Sequence, residues 1–166
     1  MQTDDNLRAA FAGESQANRR YLAFAAKADA EGFKQVARLF RAVAEAETIH
    51  AHAHLRAMKG IGATVHNLEA AIAGEAYEFQ SMYPDFVRTA ERENSSAALP
   101  GFRNAMAVEK THFDLFNEAL NAVKSGKDLP AAPIRICMVC GHTVIGDAPD
   151  RCPVCKAARD KFIEIR

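Results

Sequence analysis

A Glu-x-x-His pair occurs twice in this chain, at Glu47-His50 and Glu109-His112, and a Glu-x-x-Glu pair, Glu75-Glu78, lies between them. Residues three or four apart share one face of a helix, so each pair aims two metal-binding side chains the same way. Glu14, on an earlier stretch, adds a fifth carboxylate. A single Glu-x-x-His is ordinary on a solvated helix face, but its repetition on successive helices is not. Four facing helices with this set supply an oxygen-rich shell and one or two imidazoles, which suits a pair of non-haem iron or manganese ions. The pattern therefore restricts the chain to a helical bundle with a polar interior site.

The same pattern is an internal repeat. Phe40-Arg41 stands before Glu47-x-x-His50 at the offset at which Phe102-Arg103 stands before Glu109-x-x-His112. Gly13-Glu14 and Gly74-Glu75 lie upstream at nearly equal distances, so the two halves read as copies of one helix pair with two metals between them.

Helical periodicity supports this over residues 6–30, 33–59, 67–94 and 100–124, with breaks at Gly32, at Gly60 and Gly62, and at Ser125-Gly126. Asn67 is placed to cap the third helix, and His66 falls in the loop before it. Pro84 should kink that helix or open a local bulge. The Ala-rich composition favours helix and close packing, and Phe11, Phe24, Phe40, Phe102, Phe113 and Phe116 are expected in the core. His52 and His54 cluster near His50, where they read as solvent-facing rather than as further ligands.

With 166 residues and 49% apolar content, the chain holds one domain of ordinary size and a small appendage. A formal net charge of zero, from 21 basic and 21 acidic residues, gives no global case for nucleic acid or an anionic membrane. No stretch has the apolar length of a membrane span or a secretion signal. The organisation expected is a helical domain over residues 1–124, a Gly/Pro-containing linker over 125–134, and a cysteine module over 135–166. That module carries all four cysteines as Cys137-x-x-Cys140-Gly and Cys152-Pro-x-Cys155. Two such knuckles meet at one tetrahedral metal centre, and this spacing fits a metal site in a reducing cytoplasm better than a disulfide framework. The thiolate set accepts zinc or iron, and a redox neighbour favours iron. His142, beside the second knuckle residue, is expected to be exposed.

Taken together, these features resemble the rubrerythrin family, a ferritin-like di-iron domain joined to a rubredoxin-like iron domain. The resemblance is carried by Phe11-Ala-Gly-Glu14-Ser-Gln-Ala17, Glu47-x-x-His50, Asn67-Leu68, Gly74-Glu75-Ala-Tyr-Glu78, Ser81-Met-Tyr-Pro84, Glu109-x-x-His112 and the four cysteines. It implies that Glu14, Glu47, Glu75, Glu109 and His112 stay on two non-haem irons while Glu78 and His50 exchange as ligands. Tyr21 and Tyr83 stand where the family places tyrosines around the metals. It also implies a peroxidase that reduces hydrogen peroxide to water. Its electrons would come through a mononuclear iron (or zinc-competent) centre of Cys137, Cys140, Cys152 and Cys155 from an external, NAD(P)H-linked reductase. A ferroxidase or iron-storage role is the alternative.

Ferritin-like geometry asks the second and third helices to run parallel, and the connection between them is short. Levelling Glu47 with Glu75 takes roughly 30 Å of return path, whereas the steps from Lys59 to Asn67 reach about 28 Å at best. The loop is too short for that crossing within one bundle, so a helix-swapped homodimer is expected, each site drawing ligands from both chains. The competing reading is an all-antiparallel single-chain bundle, which the short loop permits but the repeated ligand pattern disfavours.

Overall fold

The computed structural model describes residues 1–166. The chain divides into two compact units, Met1–Gly62 and Ala63–Arg166. The first is a helical hairpin of α1, Gln2–Ala30, and α2, Lys34–Ala57. Its turn is sharp because Gly32 takes a positive φ of 86°, where a side chain would be strained. The seam between the helices is made of small residues. Ala37, Ala44 and Ala51 are buried on α2 at seven-residue spacing, opposite Ala25 and Ala28 on α1. A stripe of that period stays on one face, and alanine lets the two backbones approach closely.

One polar residue interrupts this seam. Asn18 is buried, and its Nδ2 donates to Ala44 O at 2.7 Å and to Thr48 Oγ1 at 2.8 Å. A side chain that bonds a facing backbone carbonyl fixes the register of the two helices, because a slip by one residue would leave a buried donor unsatisfied. The aromatic core differs from expectation. Phe24 is 47% exposed, with its ring edge-on to Phe40 at 5.6 Å, because the alanine seam brings the helices too close to seat a ring between them.

The second unit contains α3, Thr64–Tyr77, a π-helical segment Glu78–Met82, α4, Tyr83–Arg92, and α5, Leu99–Lys124. Helix α3 starts at Thr64 after an extended Ala63, so His66 and Asn67 lie inside its first turn and Asn67 is not the cap. The π-helical segment is the local bulge that Pro84 predicts. Proline has no N–H to donate to the carbonyl four residues back, so the α-helical ladder cannot run through it unaltered. Helices α3 and α4 lie along α5, joined by the Phe79–Phe113 ring pair at 5.4 Å and the Tyr83, Phe86 and Phe102 cluster.

After Ser125 the same unit continues into a three-stranded antiparallel sheet of β1, Ile134–Cys137, β2, Thr143–Ile145, and β3, Phe162–Ile165, in the order β2-β1-β3. This module rests on α5, where a Cβ added to Gly141 would lie 3.8 Å from Val108. The architecture is mainly helical, with a small four-cysteine sheet module following the last helix. No helix is long and apolar enough to cross a membrane.

Candidate metal centre

Each unit builds its own cluster of metal donors. On the α1–α2 hairpin, Glu14, Glu47 and His50 bring one donor atom each within 4.8 Å of one another. The i, i+3 spacing puts His50 Nδ1 2.8 Å from Glu47 Oε2, and Glu14 reaches the same place from α1. In the second unit, Glu75 of α3 joins Glu109 and His112 of α5 within the same limit. Here too the helix spacing places His112 Nδ1 2.8 Å from Glu109 Oε2, with Glu75 Oε1 at 3.9 Å. The two triads have identical composition, two carboxylates and one imidazole, as the internal repeat requires.

Electrostatics in the second unit favours a cation. Burial raises the pKa of Glu75, and the neighbouring Glu109 carboxylate raises it further. Glu78, the first residue of the π-helical segment, is likewise raised by burial and then by Glu75, although it lies outside the three-donor cluster. Tyr83 is pushed up by burial and by Glu78, Glu109 and Glu75 together. Carboxylates held this close oppose one another's ionisation, and a bound cation reverses that penalty. Glu75 and His112 also border an apolar cavity of about 460 Å³ lined by Leu68, Phe116, Ile134 and Ile145. Tyr21 on the hairpin lies tilted against Phe24 and Phe40 at centroid distances of 6.3 and 6.2 Å. His52 and His54 belong to neither triad.

The four cysteines form a third cluster. Their Sγ atoms lie within 4.8 Å of one another, with Cys137–Cys155 at 3.7 Å and Cys140–Cys152 at 3.6 Å. A tetrahedron with metal–sulfur bonds of about 2.3 Å has edges of about 3.8 Å, so the thiolates already stand at metal-binding separation. Burial pushes the Cys140 thiol far up. At Cys152 burial also acts upward, but the Cys155 and Val154 amides outweigh it and the net shift is down. Amides turned toward sulfur in this way stabilise thiolate.

His142 corrects an expectation. It is only 8% exposed, with Nδ1 3.5 Å from Thr111 Oγ1 and its ring edge-on to Phe162 at 6.5 Å. The module docks on α5 through this edge, which hides a side chain that would be free on an isolated knuckle. Two residues escaped the sequence reading. Asn18 looked like one more polar position on α1. Thr143, whose Oγ1 is 3.1 Å from His112 Nε2, is brought there by a contact between segments distant in the chain. Its place three residues after Cys140 was the only available signal.

Comparisons with known proteins bear on both parts. The rubrerythrin family model matches residues 5–120, and the rubrerythrin rubredoxin-like domain model matches residues 136–163. Rubrerythrin-2 of Clostridium acetobutylicum is 36% identical over 96% of this chain and 95% of its own length. Nigerythrin of Nitratidesulfovibrio vulgaris is 33% identical over 96% of this chain and 85% of its own. A solved structure of nigerythrin in a partially reduced state superposes with a TM-score of 0.60 at 32% identity, covering 98% of this chain and 86% of that one.

Proposed function

Because the chain belongs to the rubrerythrin family, we propose that it is an oxidoreductase that reduces hydrogen peroxide to water, with electrons entering through the four-cysteine centre from an external NAD(P)H-linked reductase. The observation that carries this reading is the coexistence of two Glu-Glu-His triads with a four-thiolate cluster in one chain. The donor chemistry fits iron in both kinds of site: oxygen-rich with imidazole for a pair of irons, all-sulfur for a single one. When bound, the iron pair supplies the two electrons that O–O cleavage needs, one from each ion, and the third iron returns them singly.

The protein's own residues supply charge, position and protons. Glu14, Glu47, Glu75, Glu109 and His112 would hold the irons, with Glu78, outside the second triad, and His50, within the first, as the two residues that would alternate as ligands when the charge of the site changes. Reducing one peroxide to two waters takes two electrons and two protons. Tyr83, whose pKa is raised by burial and by three carboxylates, keeps its Oη proton at neutral pH and holds it beside the triad. A Glu78→Ala protein should turn over at least about tenfold more slowly, and normal cycling of that variant would remove the exchange of ligands from the mechanism.

The assembly is a homodimer with swapped helices, in which the α1–α2 hairpin of one chain serves α3–α5 of the other. Three things support it: each unit alone carries three donors, only residues 58–63 connect α2 to α3, and the hairpin exposes Phe33, Leu39 and Ile49. Dilution to monomers that keep a paired-iron spectrum would overturn the swap. A reducing cytoplasm suits the four free cysteines. The function itself is tested by mixing the ferrous protein with peroxide or with dioxygen. Peroxide should reoxidise it faster by at least about a hundredfold. Preference for dioxygen with accumulation of many irons per chain would establish an iron-storage role instead.

A further inference from the structure

We propose that Thr143 of the cysteine module is a positioning residue for the carboxylate site, its hydroxyl accepting the Nε2–H of His112 so that Nδ1 is the nitrogen presented to metal. This rests on His112 being a ligand, as in the reading above. His112 Nε2 lies 3.1 Å from Thr143 Oγ1, while Nδ1 faces Glu109 Oε2 at 2.8 Å and Glu75 Oε1 at 3.9 Å. The hydroxyl has one proton, and it is directed to Gly141 O at 3.1 Å, an oxygen that can only accept. We assign that proton to Gly141 O rather than to Nε2, which lies at the same distance; Thr143 Oγ1 then meets His112 as an acceptor and Nε2 carries the hydrogen. That leaves Nδ1 bare at 2.8 Å from Glu109 Oε2, a contact between two acceptors that a bound cation or a further proton must bridge. A hydroxyl partner of this kind fixes both tautomer and ring orientation, and losing one commonly costs about ten- to a hundredfold in metal affinity.

The source of this hydroxyl gives the contact its meaning. Thr143 opens β2 and follows the Cys137–Cys140 knuckle directly, and its own proton is anchored on the residue after Cys140. Gly141 needs its positive φ of 86° to turn the chain there, and a Cβ added to it would lie 3.8 Å from Val108, the residue before Glu109. The module is thus a structural part of the carboxylate half-site as well as a neighbour of it. His50, the corresponding histidine of the other triad, has no such hydroxyl partner within its own unit.

The test uses the full-length chain, stripped of metal and titrated with zinc against a competing chelator, in the wild type and in Thr143→Val, Thr143→Ser and His112→Ala proteins. Zinc held by the four cysteines reports in each case that the module is folded. Thr143→Val should weaken zinc at the carboxylate site about ten- to a hundredfold, and Thr143→Ser should restore it. In the zinc-loaded protein, the His112 Nε2 proton seen by nitrogen-15 NMR should exchange with water at least about tenfold faster in the valine variant, as expected for loss of one hydrogen bond. Unchanged affinity in Thr143→Val, with affinity lost in His112→Ala, overturns the role of Thr143 alone. Unchanged affinity in His112→Ala overturns the ligand assignment, and the proposal with it. Failure of serine to restore binding also overturns the role of the hydroxyl.

Discussion

Changing Glu109→Gln is expected to lower the rate of peroxide reduction about a thousandfold while leaving the four-cysteine centre spectrally intact. The substitution keeps the side chain's shape and removes one negative charge from a cluster that has little to spare. Glu109 sits 2.8 Å from His112 Nδ1, and its charge helps to raise the pKa of Glu75. Without it, Glu75 no longer faces a second carboxylate charge across this half-site, and a bound cation would lose a ligand on the same helical face as His112. A metal ion contributes several kcal/mol to such a reaction, and each 1.36 kcal/mol is about tenfold in rate, so a thousandfold loss corresponds to about 4 kcal/mol. Iron analysis should find the carboxylate site depleted. Full iron content with a rate within tenfold of wild type would show that Glu109 is not a ligand.

Cys137→Ser should produce the second large effect, of a different kind. Cys137 is among the most buried side chains, with its sulfur 3.7 Å from that of Cys155. A serine hydroxyl in its place is a poor ligand in an all-sulfur set, and the thiolate iron spectrum should disappear. Steady-state turnover with a reductase should then fall at least about a hundredfold. Chemically reduced protein should still consume about one equivalent of peroxide per iron pair in a single rapid phase, because electrons already on that pair need no carrier. An intact single phase also shows that the module still supports His112. Undiminished steady-state turnover would show that reductant reaches the carboxylate site by another route.

What could be read from the sequence was whatever depends on periodicity or close spacing. The helices follow from apolar period, glycine breaks and a proline, and the Cys-x-x-Cys pairs define a metal module without reference to anything distant. The helix ends were less legible, because Thr64, Val65 and His66 have no strong signature and yet turn helical ahead of Asn67. Aromatic residues misled, since none of Phe11, Phe24, Phe40, Phe102, Phe113 and Phe116 is fully buried. Size made Phe24 a core candidate, but the close approach of α1 and α2 is set by Ala25, Ala37 and Ala44. Polar contacts between segments far apart were beyond reach: Asn18 with Ala44, His142 with Thr111, and Thr143 with His112 all depend on how finished elements dock.

The π-helical segment has a consequence that concerns rotational phase. Glu75 and Tyr83 are eight positions apart, and at about 100° per residue an unbroken α-helix would leave them about 80° out of phase. Widening the turn over Glu78–Met82 takes up about one residue's worth of rotation, which returns Tyr83 to within about 20° of Glu75. Three carboxylates then act on a tyrosine that an ideal helix would have turned aside. Pro84 thus does more than interrupt a ladder: like a vernier, it resets the angular scale of one helix so that residues on either side of the interruption coincide.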